Sequence, residues 1–82
     1  MVTVKIVGTN THYDMELPAG ITIKELSPKL LMALKNIANK MFMGVENIRI
    51  IYDIEKRYLH ESETLADAGI WDGSVISVER GM

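Results

Sequence analysis

The chain has no cysteine, which removes two common ways of stabilising a small protein. Without thiols it has no disulfide framework and no thiolate zinc site. A secreted domain of this size usually needs such cross-links to be stable. At 82 residues there is room for one small core, so we expect a single domain over residues 1–82. A reducing, cytoplasmic location fits these features best.

Long apolar runs and clusters of basic residues are also missing. A signal peptide needs a continuous apolar stretch and a membrane-spanning helix needs about 20 apolar residues, and the sequence contains neither. The formal net charge is −2, whereas phosphate neutralisation requires a basic surface. We therefore expect neither nucleic-acid binding nor direct insertion into a membrane.

Candidate catalytic and metal-binding groups are sparse. His12 and His60 are far apart in sequence and lack partners at metal-ligand spacing, so we expect both to face solvent. The acidic residues of 53–63 are interspersed with Lys56 and Arg57, which is typical of a solvated loop. Catalytic carboxylates need a concave pocket, which so small a protein seldom has. The sequence predicts no enzyme activity, no metal and no cofactor.

Alternating apolar residues predict two strands at the start of the chain. Val2 to Val7 is the first, and His12 to Leu17 is the second, separated by the turn residues Gly8 to Thr11. In the second strand Tyr13, Met15 and Leu17 fall on one face, as an antiparallel hairpin requires.

One long helix is predicted from Thr22 to the left-handed stop at Gly44. Thr22 and Glu25 have the spacing of a capping box. The apolar positions recur at three and four, as an inward-facing helix side requires: Ile23, Leu26, Leu30, Leu31, Leu34, Ile37, Ala38 and Met41. Pro28 lies too deep for the first turn, which predicts either a kink or a restart with Ser27 as a second cap.

Three further strands are predicted in the second half. Ile48 to Tyr52 is the third, with Arg49 and Ile51 facing outward and exposed. After a charged tip at Asp53 to Arg57, Tyr58-Leu59 forms a brief return strand. Turns at 64–70 and 71–73 then lead to a final strand from residue 74 to residue 78, which buries Ile76 and Val78 and exposes Val75, Ser77 and Glu79.

Trp71 and three methionines are candidate contact residues. Trp71 follows the buried Ile70, so alternation turns it outward, where an indole is a candidate partner contact. Packing flat over the helix end or the neighbouring strand is an equally good interpretation. Met41 is expected in the core, whereas Met32 and Met43 are harder to place inside.

The order of elements resembles the ubiquitin-like β-grasp fold, an α+β roll (ββαββ with a further short strand) in which one long helix packs on a mixed sheet. Three segments carry the resemblance: Thr22-Ile23, Arg49-Ile50-Ile51-Tyr52 and Thr64-Leu65-x-Asp67-x-x-Ile70. Three others are similar to the YukD/EsaB family of bacterial ubiquitin-like proteins: Leu17-Pro18-Ala19, Ile23-Lys24-x-Leu26 and Asp72-Gly73-x-Val75-Ile76. That family accompanies type VII (WXG100, Esx) secretion systems in Gram-positive bacteria.

The resemblance implies a non-enzymatic interaction module rather than a modifier. Ubiquitin and the sulfur carriers act through a flexible Gly-Gly tail, whereas Glu79-Arg80-Gly81-Met82 has one glycine. The expected partner is a cytoplasmic part of a membrane-embedded secretion machine. The expected contact residues are Arg49, Ile51, Trp71, Val75 and Ser77.

Two other functions and a dimer remain alternatives. One is a carrier or modifier, like ubiquitin or the sulfur carriers, that is activated at its C-terminus in an enzymatic pathway. The other is a detached regulatory domain of the Ras-binding or PB1 type, which should carry a focused basic edge or an acidic loop motif. An edge strand and an exposed Trp71 are also compatible with a homo-oligomer.

Overall fold

Five strands form one mixed sheet in the computed structural model, which describes residues 1–81. The strand order is β2-β1-β5-β3-β4; β1 and β5 run parallel, and the other neighbours are antiparallel. The elements in chain order are β1 (Val2–Ile6), β2 (His12–Met15), α1 (Ile23–Ile37), α2 (Asn39–Phe42), β3 (Asn47–Tyr52), β4 (Arg57–Tyr58) and β5 (Val75–Gly81). This confirms an α+β architecture with a helix packed on a mixed sheet, and it is compatible with a β-grasp.

The strand alternation seen in the sequence decides which face of the sheet is buried. Val4 lies beside Ile76 and Ile6 beside Val78 across the parallel pair, and all four side chains are buried in the core. Successive side chains of a strand point to opposite faces, so the intervening residues form the other face. The core therefore lies between this inner face and the buried side of α1.

The predicted single long helix is wrong, because α1 ends at Ile37. Ala38 leaves the helical region at φ −137° and ψ 50°, and a second helix, α2, follows. The break changes which apolar residues face the core. Ile37, which was predicted to face inward, is 51% exposed, whereas Phe42 is completely buried.

The start of α1 agrees with the predicted cap. The Thr22 hydroxyl oxygen accepts a hydrogen bond from the Glu25 amide at 3.3 Å. The helix continues unbroken through Pro28, so Ser27 does not begin a second helix. Gly44 adopts the predicted positive φ of 75°, but it follows α2 instead of ending one long helix.

The segment between β4 and β5 is held to the protein by local hydrogen bonds and two buried side chains. The Thr64 hydroxyl accepts from the Asp67 amide, and the Asp67 carboxylate accepts from the Thr64 amide. Leu65 and Ile70 are each only 1% exposed. Regular structure then resumes in β5, which runs to Gly81, three residues beyond the predicted end of the last strand.

Glu63 joins this segment to β4, and its titration makes the contact testable. The Arg57 guanidinium donates to the Glu63 carboxylate at 2.9 Å and the His60 amide donates at 3.0 Å, which lowers the pKa of Glu63 below its usual range. A depressed pKa in the folded state gives stability that is present above the unfolded pKa and lost as the pH falls through the folded one.

Replacing Glu63 with glutamine should therefore lower the urea midpoint at pH 7, by about 0.3 M. The difference from the parent chain should shrink as the pH falls below the ordinary glutamate pKa of 4.5. Urea titrations at pH 7 and pH 3 measure it. The control is Glu61→Gln, because Glu61 is exposed and forms no ion pair within residues 1–81. A difference that persists unchanged at pH 3 would contradict the role of the Glu63 charge.

Candidate functional site

Four of the five predicted contact residues lie together on the sheet face that points away from α1. Ile51 lies beside Ser77 across β3 and β5, and Arg49 lies beside Glu79 in the same pair. Val75 is on the same side of β5 as Ser77, two residues along the strand. We call this surface the outer sheet face: Thr3, Lys5, Arg49, Ile51, Tyr58, Val75, Ser77 and Glu79.

The predicted outward direction of this face is correct, but the exposure predicted for its centre is only partial. Ile51, Val75 and Ser77 are half-buried, and so is Glu79, whereas Arg49 is exposed. The reason is position in the sheet, because β5 has β1 on one side and β3 on the other. Side chains of the flanking strands therefore cover part of each residue in the middle of the face.

Asp53 ties the centre of the outer sheet face together. The Ser77 hydroxyl donates to one carboxylate oxygen of Asp53 at 2.6 Å. The Lys5 ammonium lies 3.7 Å from the other oxygen. Ser77 and Asp53, the polar side chains next to Ile51 on this side, therefore already have partners within the protein. The aliphatic side chain of Ile51 is then the group that a partner would gain most by covering.

A second polar cluster lies on the other side of Ile51. The Arg49 guanidinium is 3.6 Å from the Glu79 carboxylate, and its central carbon lies 4.3 Å from the centre of the Tyr58 ring. The Tyr58 hydroxyl donates to Glu79 at 2.9 Å, which raises the pKa of Tyr58. Arg49 is thus held against an aromatic ring, in the arrangement of a cation–π pair.

The outer sheet face has the chemistry of a small docking surface. Interfaces commonly place apolar side chains at the centre and polar groups at the rim. Here Ile51 and Val75 supply the apolar area, and the Asp53 and Glu79 clusters supply paired polar groups on either side of Ile51. Because those polar groups are already paired, a partner can cover the face without leaving a buried charge unsatisfied.

Trp71 lies apart from the other four contact residues. The residue is 62% exposed, which favours the outward orientation over the alternative of packing flat. Trp71 lines a cavity of about 300 Å³ with Met1 and Leu17, beside the start of β1. The structure therefore separates the predicted contact residues into one group of four on the outer sheet face and a solitary indole at the end of the sheet.

The family comparison agrees with the predicted resemblance. The family model described as "WXG100 protein secretion system (Wss), protein YukD" matches residues 1–78. The chain belongs to the YukD family. The matched residues include every helix and strand up to β5 and most of β5 itself. No curated protein gives a significant match. Membership of the YukD family implies an accessory role in type VII secretion.

For this YukD-family chain, sequence reasoning missed Lys5, Asp53 and Tyr58 as parts of the site. The alternation of β1 was enough to place Lys5 outward, but not to show which strand lies next to it. Asp53 directly follows β3 and Tyr58 lies on the return strand β4, but their partners Ser77 and Glu79 are 24 and 21 residues away in sequence. Contacts of that range depend on strand register, for which one sequence carries little signal.

Two further features are absent among residues 1–81. No three histidine, cysteine, aspartate or glutamate side chains between residues 1 and 81 form a group that could hold a metal ion. His12 and His60 are both exposed, as predicted. No helix in the same range is long and apolar enough to cross a membrane.

Proposed function

We propose that this chain is a non-enzymatic, ubiquitin-like β-grasp module that acts in the cytoplasm as an accessory or regulator of type VII secretion. It binds a cytoplasmic component of the membrane-embedded secretion machine through the outer sheet face. The observation that carries the proposal is the grouping of Arg49, Ile51, Val75 and Ser77 on that face in a chain of the YukD family.

Ile51 is the centre of the proposed contact. Its half-buried aliphatic side chain is already partly ordered by its neighbours, so little conformational freedom is lost on binding. Side chains at the centre of an interface, from which water is excluded, carry most of the binding energy. The paired Arg49 and Glu79 side chains at the rim contribute orientation and partner selection.

The proposed role is binding and not conjugation. An activating enzyme requires a flexible glycine tail that can enter a narrow channel. Gly81 instead lies in β5 and pairs with Asn47 of β3, so the backbone at this glycine is held in the sheet. This pairing supports a ubiquitin-like binder over the alternative of a carrier activated at its C-terminus.

An Ile51→Asp variant tests the proposal by affinity capture from the native host. The parent chain should recover a secretion component, and the variant should recover it at least about tenfold less, because a charge replaces the apolar centre. The recovered chain should also keep its unmodified intact mass.

Ile37→Asp is the matched control. Ile37 is 51% exposed on α1, on the opposite side of the sheet, and it receives the same substitution. Its recovery should equal that of the parent chain. Capture of no secretion component, equal loss for both variants, or a chain carrying an adenylate, thiocarboxylate or conjugate would count against the proposed function.

A further inference from the structure

Strand β4 covers only one end of β3 and leaves the rest of that edge open. Its ladder pairs Tyr52 with Arg57 and Ile51 with Tyr58, and the Leu59 amide then donates to the Ile50 carbonyl at 2.9 Å. Beyond this bond the chain turns away from the sheet. The part of β3 from Asn47 to Arg49 therefore has no neighbouring strand on this side within residues 1–81.

The reason for this departure is the start of α1. The Glu61 carbonyl accepts from the Lys24 amide at 3.0 Å, and the Glu63 carbonyl accepts from the Ile23 amide at 2.8 Å. The first amides of a helix have no partner inside the helix. Residues 60–63 supply partners for two of them and, as a consequence, cannot continue the ladder along β3.

The open edge presents the backbone of Ile48. In a strand the N–H and C=O groups of successive residues point alternately to opposite sides. The Ile50 carbonyl points to β4, where it accepts from Leu59, whereas Arg49 pairs with Glu79 of β5. The backbone groups of Ile48 point to the same side of β3 as those of Ile50. The N–H and C=O of Ile48 therefore both face the edge that β4 does not cover.

A groove of about 600 Å³ lies along this edge. We call it the β3 edge groove; β3 forms one wall, and Lys24, Ser27 and Pro28 of α1 form the other. Pro28 has no N–H, so the Lys24 carbonyl lacks the donor that the fourth residue on would normally give it. The groove therefore offers a backbone donor and acceptor on the strand side and an apolar proline ring on the helix side.

The charges of the β3 edge groove are unequal at its two ends. At one end Lys24 and Glu61 contribute one charge of each sign to the lining. At the other end Glu46 precedes β3 and forms no ion pair within the part of the chain that is described. Arg49 also lines the groove, but its guanidinium is held by Glu79 and Tyr58. The end at Glu46 is thus complementary to a basic side chain.

We propose that the β3 edge groove binds an extended segment of a partner protein by strand addition at Ile48. The segment has aliphatic side chains, one of which lies against Pro28, and a basic residue that pairs with Glu46. Backbone hydrogen bonds supply affinity in this mode of recognition, and the side chains supply specificity. The proposal rests on the proposed role as a protein-binding module, but it concerns an edge distinct from the outer sheet face.

Nuclear magnetic resonance of the full ¹⁵N-labelled chain tests the proposal with a defined probe. The probe is a blocked seven-residue peptide of the order lysine, valine, threonine, valine, threonine, valine, lysine, added to about 1 mM. Shift changes should concentrate at Ser27, Glu46 and Ile48. Hydrogen exchange of the Ile48 amide should slow about tenfold as that N–H becomes bonded.

Two controls separate strand addition from non-specific peptide binding. A peptide in which the two threonines and the valine between them are all proline lacks the N–H groups of its three central residues on both edges and should produce no shifts at Ile48. Glu46→Lys should weaken binding about fivefold. Glu16→Lys should not weaken it, because Glu16 is exposed next to the other edge strand and, like Glu46, forms no ion pair within residues 1–81.

Several outcomes would overturn the proposal. These are no shifts at Ile48, shifts confined to β2 or to the surroundings of Ile51, or equal effects of the two lysine substitutions. An Ile48 amide already protected in the concentrated chain alone would make a second copy the occupant. Peptide binding that survives Ile51→Asp separates this edge from the outer sheet face, so the failure of either proposal is recognisable without the other.

Discussion

Replacing Phe42 with alanine should lower the free energy of unfolding by about 3–5 kcal/mol. Phe42 is completely buried at the end of α2 and is among the largest side chains in the core. Removing its ring loses burial and leaves a cavity that close-packed neighbours fill only partly. A domain of this size has a total stability of roughly 4–12 kcal/mol, so the substitution removes a large share of it.

Urea denaturation followed by far-ultraviolet circular dichroism measures the effect, with Met43→Ala as the matched control. Met43 is the next residue but is 73% exposed, so its truncation should change stability by less than about 0.5 kcal/mol. Similar midpoints for the two variants would mean that Phe42 is not buried in the core. They would favour the continuous helix predicted from the sequence over a break at Ala38.

The error over the helix has a physical origin. Ile37 and Met41 are four residues apart, and so are Ala38 and Phe42, so both pairs satisfy the helical spacing of an apolar stripe. The two stripes lie about 100° apart around a helix, and periodicity alone does not choose between them. A change of backbone angles at one residue, Ala38, decides which stripe faces the core. This change has no distinctive signal in the sequence.

The strands were more predictable because their pattern is simpler. Alternation placed Arg49 and Ile51 outward in β3 and Val75 and Ser77 outward in β5, and the structure puts these four residues on one face. Alternation did not give their half-burial, since that depends on which strands lie on either side. The extension of β5 to Gly81 was not predictable either. The residues after Val78 do not continue the apolar alternation, and they are held in the strand by backbone pairing with β3.

The open edge of β3 was not predictable from the sequence, because it also depends on contacts between residues that are distant in the chain. Tyr58 was correctly expected in a brief return strand. The brevity of β4 follows from the tie between the Glu61 carbonyl and the Lys24 amide, which joins residues 37 positions apart in the numbering. A single contact at the helix start therefore determines both how the helix is capped and how much of the sheet edge stays unpaired.

Replacing Leu65 with alanine should lower the free energy of unfolding by about 2–5 kcal/mol, although Leu65 lies in a segment with little regular structure. Leu65 is 1% exposed. Backbone hydrogen bonds hold the segment on both sides of this residue, because the Glu63 carbonyl accepts from the Ile23 amide and the Ala66 amide donates to the Ala19 carbonyl. Loss of this side chain should therefore weaken the whole cooperative unit and not only the local turn.

Trp71, the one tryptophan of the chain, makes that distinction measurable. It lies six residues beyond Leu65 in the same segment, so its fluorescence follows the segment while circular dichroism follows the helices and the sheet. In Leu65→Ala both urea transitions should move together to lower midpoints. Ile54→Ala is the control, because Ile54 is 78% exposed in the hairpin tip and its truncation should move neither transition. A fluorescence transition that moves alone would show the segment unfolding by itself, and Leu65 would then stabilise a local loop instead of closing the core.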